Sequence, residues 1–346
     1  MEKRIRWIDV AKGIAIICIV LGHLANRRIN SIVFTFHVPL FFFVSGYFMS
    51  KSGTVADFVK KKMKSLVLPY AVTCGVVCLA SVPLNLLQGA DWKKELAVWL
   101  FAAFYGAGNT YTEPVYIPQI GAIWFLPALF WSLVLMRMLD RLKSGMRICL
   151  VLIIFALSVR SASYIWLPLS IQAGGCALLF VYFGYLCRQL QPQISRLLKA
   201  SGEADFVLAL FFVVNWIWAI KNYEGLFLAR AVFTNGVYDF WGSICGTIVV
   251  LMFSKIISDR GEVLSNVLAF AGKHSMLILC VHVLELNLIP WEKVFALFQT
   301  CISISDDGFI AFVMLGKFLF ILCGVAVALR IPWIRSVFGY GKVKER

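Results

Sequence analysis

Charge is scarce in this chain. Only 15% of its 346 residues are Asp, Glu, Lys or Arg, against roughly 25% in a soluble globular domain. That shortage excludes an ordinary water-soluble surface. No CxxC pair occurs among the ten cysteines. The sequence therefore points to neither a zinc site nor a disulfide framework, and no metal is expected. Cys18, Cys74, Cys78, Cys149, Cys176, Cys245, Cys280 and Cys323 fall in apolar runs and read as small packing residues. Repeats, low-complexity tracts and linkers are also missing, so residues 1–346 read as a single integral membrane domain. No small-x-small pattern precedes Arg27 and Arg28. The N-terminal apolar run is accordingly read as a first span, not a signal peptide.

What fills the chain is apolar sequence, 61% of the residues. Runs long enough to cross a bilayer recur throughout. The expected class is an all-α polytopic membrane protein with about ten transmembrane helices. They are placed near 8–26, 31–50, 66–88, 121–139, 147–166, 170–188, 205–221, 237–257, 267–289 and 308–330. Trp92–Tyr105 opens with Lys93, Lys94 and Glu95 and reads as an interfacial helix. The long connection around it, from Gly89 to Gln119, is of a length more often functional than connecting.

The net charge of +15 is not a nucleic-acid signature here, because the basic residues sit in short loops between apolar runs. Their anionic partner is the lipid headgroup layer. With the N-terminus inside, the clusters at Lys51–Lys64, Arg137–Arg147, Arg188–Lys199, Lys255–Arg260 and Arg330–Arg346 all face the cytoplasm. Few basic residues face outward. The bias places both termini in the cytoplasm.

Two polar groups interrupt the first run, "WIDVAKGIAIICIVLGHLANRR". Lys12 and His23 are eleven residues apart. That spacing is three helical turns plus roughly 20°, so they share one face, about 16 Å apart along the axis. A snorkelling stem explains Lys12 alone, and a helix-end hydrogen bond explains His23 alone. Asp9, three residues before Lys12, is placed to neutralise it. In the second run, "FTFHVPLFFFVSGYF", Pro39 cannot donate to the carbonyl of Thr35. A kink is expected beside His37, which reads either as a site residue or as a bundle histidine.

These two stretches resemble the opening of the acyltransferase-3 family of integral membrane O-acyltransferases. Members carry a basic residue, ten residues, then histidine. Lys12 stands where many have Arg. "GAIWFLPALF" from Gly121 and "AGKHSMLILCVHVLE" from Ala271 are similar to two later family blocks, and the overall flavour is that of the fucose O-acetylase-like branch. The resemblance implies transfer of an acyl group, usually acetyl, from cytoplasmic acyl-CoA to a hydroxyl of an extracytoplasmic glycan or other cell-envelope acceptor. It also implies residence in a bacterial cytoplasmic membrane. In that frame His23 is the general base or acyl carrier, and Lys12 pairs with a donor phosphate. His37 orients the acceptor or steadies an oxyanion.

The remaining candidates carry two readings each. His282 and Glu285 form a same-face dyad within a span, or Glu285 reaches the outer interface. Lys273 and His274 touch the donor, or mark the cytoplasmic edge. Trp124 walls an acceptor pocket, or belongs to an aromatic belt. Glu113 and Tyr116 contact a sugar, or are plain loop residues. Lys317 sits mid-span with no partner apparent in the sequence. Gly242 and Gly246 read as helix packing. The competing function is a transporter of a small solute or lipid-linked sugar. It predicts inverted repeats, and none is visible.

Overall fold

The computed structural model describes residues 5–340 apart from 25, 88, 90, 201–203 and 300–305. Lys3, Arg4, Lys342, Lys344 and Arg346 of the charge argument lie outside the described residues. Helices follow one another as α1 (Arg6–Gly22), α2 (Arg27–Val33), α3 (His37–Tyr47), α4 (Val55–Lys62), α5 (Leu68–Leu87) and α6 (Trp92–Tyr105). Then come α7 (Phe125–Leu139), α8 (Ser144–Ala162), α9 (Ile171–Ala200), α10 (Ala204–Lys221), α11 (Val237–Arg260) and α12 (Glu262–Lys273). The last are α13 (Ser275–Leu288), α14 (Trp291–Gln299), α15 (Asp306–Ala328) and α16 (Pro332–Val337). Among the described residues the strands are two short pieces, β1 (Leu226–Phe227) and β2 (Val232–Phe233), paired antiparallel.

The protein is an all-α polytopic membrane protein. Each expected span coincides with a helix or helix pair. Among the described residues, seven helices are long and apolar enough to cross a bilayer, or eight if the pair α12 and α13, broken at His274, counts as one span. The other two expected spans are shorter. The first, α1, has 17 residues, and the apolar helix Phe206–Lys221 is also short of that length. Outward faces are apolar: Leu79 is 75% exposed, Leu87 85% and Phe206 73%. Such surface is untenable in water and ordinary against lipid. In α8 only 17% of the apolar window is buried, and in Gly308–Ala328 only 22%. Both helices are therefore lipid-facing. Cys149 and Cys323 share that exposed position, whereas Cys74, Cys78, Cys176, Cys245 and Cys280 are packed inside.

Helix ends follow local chemistry. Asn26 caps α2 by accepting from the Arg28 and Ile29 amides at 3.0 and 3.1 Å. Asp91 caps α6 in the same way. Gly106 ends α6 with a left-handed φ of 62°, a conformation that costs glycine nothing. The kink expected at Pro39 lies just before it. The chain leaves α2 at Val33, turns through Phe34–Phe36 and re-enters helix at His37.

The chain separates into two compact units. The first comprises Met1–Val55, Trp131–Arg160 and Gln172–Ser275. Glycines set its closest crossings. A Cβ on Gly13 would overlap the Leu268 carbonyl, and one on Gly272 the Asp9 carbonyl, which locks α1 against α12. Gly46 and Gly184 do the same reciprocally for α3 and α9, meeting the backbones of Val181 and Phe43. Gly242 and Gly246 admit Ala219 and Trp216 of α10, which is the packing role expected of them. At one end of this unit, Arg147 donates to the carbonyls of Leu139, Asp140 and Leu142 and to Tyr185. Arg137 donates to those of Lys51 and Gly53 at 2.9 and 2.7 Å. Both guanidiniums are buried and supply donors to backbone carbonyls of the loops after α3 and α7.

The second unit comprises Ala56–Phe130, Ser161–Ile171 and Met276–Arg346. A turn of π-helix at Met63–Val67 joins α4 to α5 in one helix, Val55–Leu87, of 33 residues. Tyr70 on α5 donates to the Ala103 carbonyl of α6. The loop after α6 is ordered by the Tyr111–Ile117 bridge and by Tyr111 stacking on Trp166 at 4.8 Å.

Candidate functional site

The first unit holds Lys12, His23, His37, Lys273 and His274. His23 caps the C-terminal end of α1, exposed, with Nδ1 2.7 Å from the Ile19 carbonyl. A carbonyl only accepts, so Nδ1 must carry the proton. The neutral ring then presents Nε2 as its basic nitrogen. His37 is buried and repeats the arrangement, with Nδ1 donating to the Val33 carbonyl, which also accepts from the Phe36 amide in the α2–α3 turn. Phe34 links the two neighbourhoods. Its ring meets His37 edge-on at 5.0 Å, and it lies where a Cβ on Gly22, the residue before His23, would come within 3.2 Å.

Lys12 is half-buried on α1, and Asp9 is buried one turn earlier. The crossing of α1 and α12 at Gly13 and Gly272 brings Lys12 and Lys273 next to the same contact, one residue from each touching glycine. Lys273 is exposed there. His274 is buried at the end of α12, with its ring 4.6 Å from Phe270.

The second unit holds His282, Glu285, Trp124, Glu113 and Tyr116. His282 Nδ1 stands 2.8 Å from Glu285 Oε2. The other carboxylate oxygen accepts from Lys317 Nζ at 2.7 Å and from Trp291 Nε1. His282 and Glu285 are fully buried and Lys317 is 3% exposed. Glu285 thus faces other side chains instead of the protein surface, and it supplies the partner of Lys317 that the sequence does not show. A carboxylate in apolar surroundings is tolerable only when its charge is matched and its lone pairs are filled. Here an ammonium, an indole and an imidazole do both. An imidazole held at Nδ1 by a buried carboxylate is fixed in tautomer and orientation, as in hydrolase triads.

Trp124 is buried in a short 3-10 turn that follows Gly121 at φ 83°. Glu113 and Tyr116 are exposed in the Tyr111–Ile117 loop. Among the described residues no hydrogen bond or ring contact joins either to Trp124. Sequence reasoning missed one feature altogether, the β1–β2 hairpin between α10 and α11. It is pinned by Thr234 to the Gly225 carbonyl and by Asn235 to the Asn222 carbonyl. Its only signals in the sequence are the flanking Gly225 and Gly236.

The fold is that of a polytopic helical membrane protein with polar side chains buried between its helices. The family described as "Acyltransferase domain" matches residues 5–337, nearly the whole chain. The chain belongs to this acyltransferase-3 family and is a membrane acyltransferase. No curated protein and no solved structure gives a significant match. The family assignment favours transfer chemistry over the carrier reading.

Proposed function

We propose that the protein moves an acyl group, acetyl in the simplest case, from cytoplasmic acyl-CoA to a hydroxyl of an extracytoplasmic glycan or other cell-envelope acceptor. The observation that carries this reading is the hydrogen bond from His23 Nδ1 to the Ile19 carbonyl, which turns Nε2 into the proton acceptor. As the acceptor oxygen attacks the thioester carbonyl, Nε2 takes its proton. The tetrahedral intermediate collapses with loss of the thiolate. The imidazolium returns the proton to that sulfur, giving an O-ester and free CoA. His37, its Nδ1 proton already committed to Val33, meets a hydroxyl as an acceptor and orients it. Lys12 pairs with a donor phosphate, with Lys273 and His274 beside it. Trp124, Glu113 and Tyr116 stand as acceptor-side candidates. The setting is a bacterial cytoplasmic membrane with both termini inside.

The test uses purified protein in lipid nanodiscs with radiolabelled acetyl-CoA and a cell-envelope glycan fraction. Lys12→Ala raises the KM for acetyl-CoA about tenfold by losing one charge-assisted contact, while kcat holds. Lys12→Arg stays near wild type. An unchanged donor KM in Lys12→Ala removes the phosphate role.

A further inference from the structure

A cavity of about 300 Å³ lies in the first unit, lined by Arg27, Asn30, Phe34, Tyr223, Glu224 and Phe227. Its position is telling. Phe34, one of its walls, is the ring packed edge-on against His37, and the same ring reaches Phe227 of the hairpin at 6.2 Å. The cavity is therefore built on the residue that joins the surroundings of His23 and His37. Its opposite side is the segment Tyr223–Phe227, which the pinned hairpin holds in place.

The lining tells what fits. Two aromatic rings offer flat apolar surface. Asn30 Oδ1 is buried and, among the described residues, meets no hydrogen-bond donor. A buried acceptor left in that state is costly, and an incoming hydroxyl would satisfy it. The Tyr223 hydroxyl is half-buried, and burial pushes its pKa up against a backbone hydrogen bond from Leu226. It stays a neutral donor and acceptor. Arg27 and Glu224 carry opposite charges, and among the described residues neither forms an ion pair. The carboxylate disfavours an anion and the guanidinium disfavours a cation. Flat apolar walls, hydroxyl-matching groups and cancelled charge suit a compact neutral polyol. The volume is at the low end for ligand pockets and takes one ring, not a chain.

We propose that this cavity is the acceptor subsite and that it binds one neutral sugar ring, presenting its hydroxyl toward His23 and His37. The role as acceptor rests on the acyl-transfer reading; the binding of a sugar does not. The two are therefore separable by experiment.

Saturation-transfer NMR on the full chain in nanodiscs, without acetyl-CoA, measures binding of methyl glucoside, methyl galactoside and methyl fucoside. Methyl glucuronide and methyl glucosaminide serve as the anionic and cationic comparisons. At least one neutral glycoside binds, and the charged ones bind more weakly. Asn30→Ala and Phe227→Ala each weaken that binding about tenfold, the scale of one buried hydrogen bond or ring contact. Monodisperse elution establishes that both variants fold. Tyr223→Phe, which keeps the ring, supplies a milder second variant. In the transfer assay these variants raise the acceptor KM more than they lower kcat. Failure of all the neutral glycosides to bind overturns the proposal, as does binding that ignores every one of the three substitutions, or preference for a charged glycoside. Sugar binding without acetyl transfer by the wild type overturns instead the transfer reading.

Discussion

Lys317 shows what a single residue's position reveals and conceals. A lysine in mid-span is visible in the sequence and demands an anion. Its partner Glu285 lies 32 residues earlier, and no helical spacing links the two. The His282–Glu285 pair, three apart, was legible because residues i and i+3 are neighbours on a helix. Trp291 as a donor to Glu285 was not, since it follows a break at Pro290. The account predicts that Lys317→Met, which strands a buried carboxylate, costs about 3–5 kcal/mol. The double variant Lys317→Met/Glu285→Gln recovers most of that loss, because the uncompensated charge is gone. Unfolding midpoints in mixed detergent measure both. Equal loss in the single and double variants would show that Lys317 acts through packing, not charge.

At the level of elements, length and apolarity mark helices, and spacing within one helix marks its faces. The Gly242 and Gly246 contact was readable because both lie on α11. The crossing of α1 with α12 was not. Gly13 and Gly272 belong to helices far apart in sequence, and each looks like an ordinary glycine in an apolar run. Only close backbone approach explains them, the device by which membrane helices pack where lipid gives no hydrophobic drive. A Cβ at Gly272 would overlap the Asp9 carbonyl, which is backbone and cannot swing aside. Gly272→Val is expected to lower stability by about 1–3 kcal/mol or more and to displace Lys12 from Lys273. Thermal unfolding together with the acetyl-CoA KM checks this. A stable Gly272→Val protein with an unchanged KM would show that the crossing positions nothing. The β1–β2 hairpin escaped notice for a similar reason. Two-residue strands are too short for alternation to register, and its order comes from side-chain bonds to the backbone.

For the whole molecule, the scarcity of charge gave the class directly, and a bilayer leaves helices as the ready solution for such a chain. The charge distribution was less transparent. Arg137 and Arg147 read as topological markers in the sequence, yet they are buried and bonded to carbonyls of the loops between helices. A basic residue near a span end can serve both purposes, and a count does not separate them. The histidines were visible because the chain holds only four. Their tautomers were not: those of His23, His37 and His282 depend on the carbonyl or carboxylate that each ring meets. The proposed function turns on His23. The most direct test is single-turnover acetyl transfer by purified His23→Ala protein that remains monodisperse in nanodiscs. Loss of a positioned general base lowers the rate by about 10²–10⁴-fold, and the account predicts a fall of that size. Transfer at the wild-type rate would contradict it.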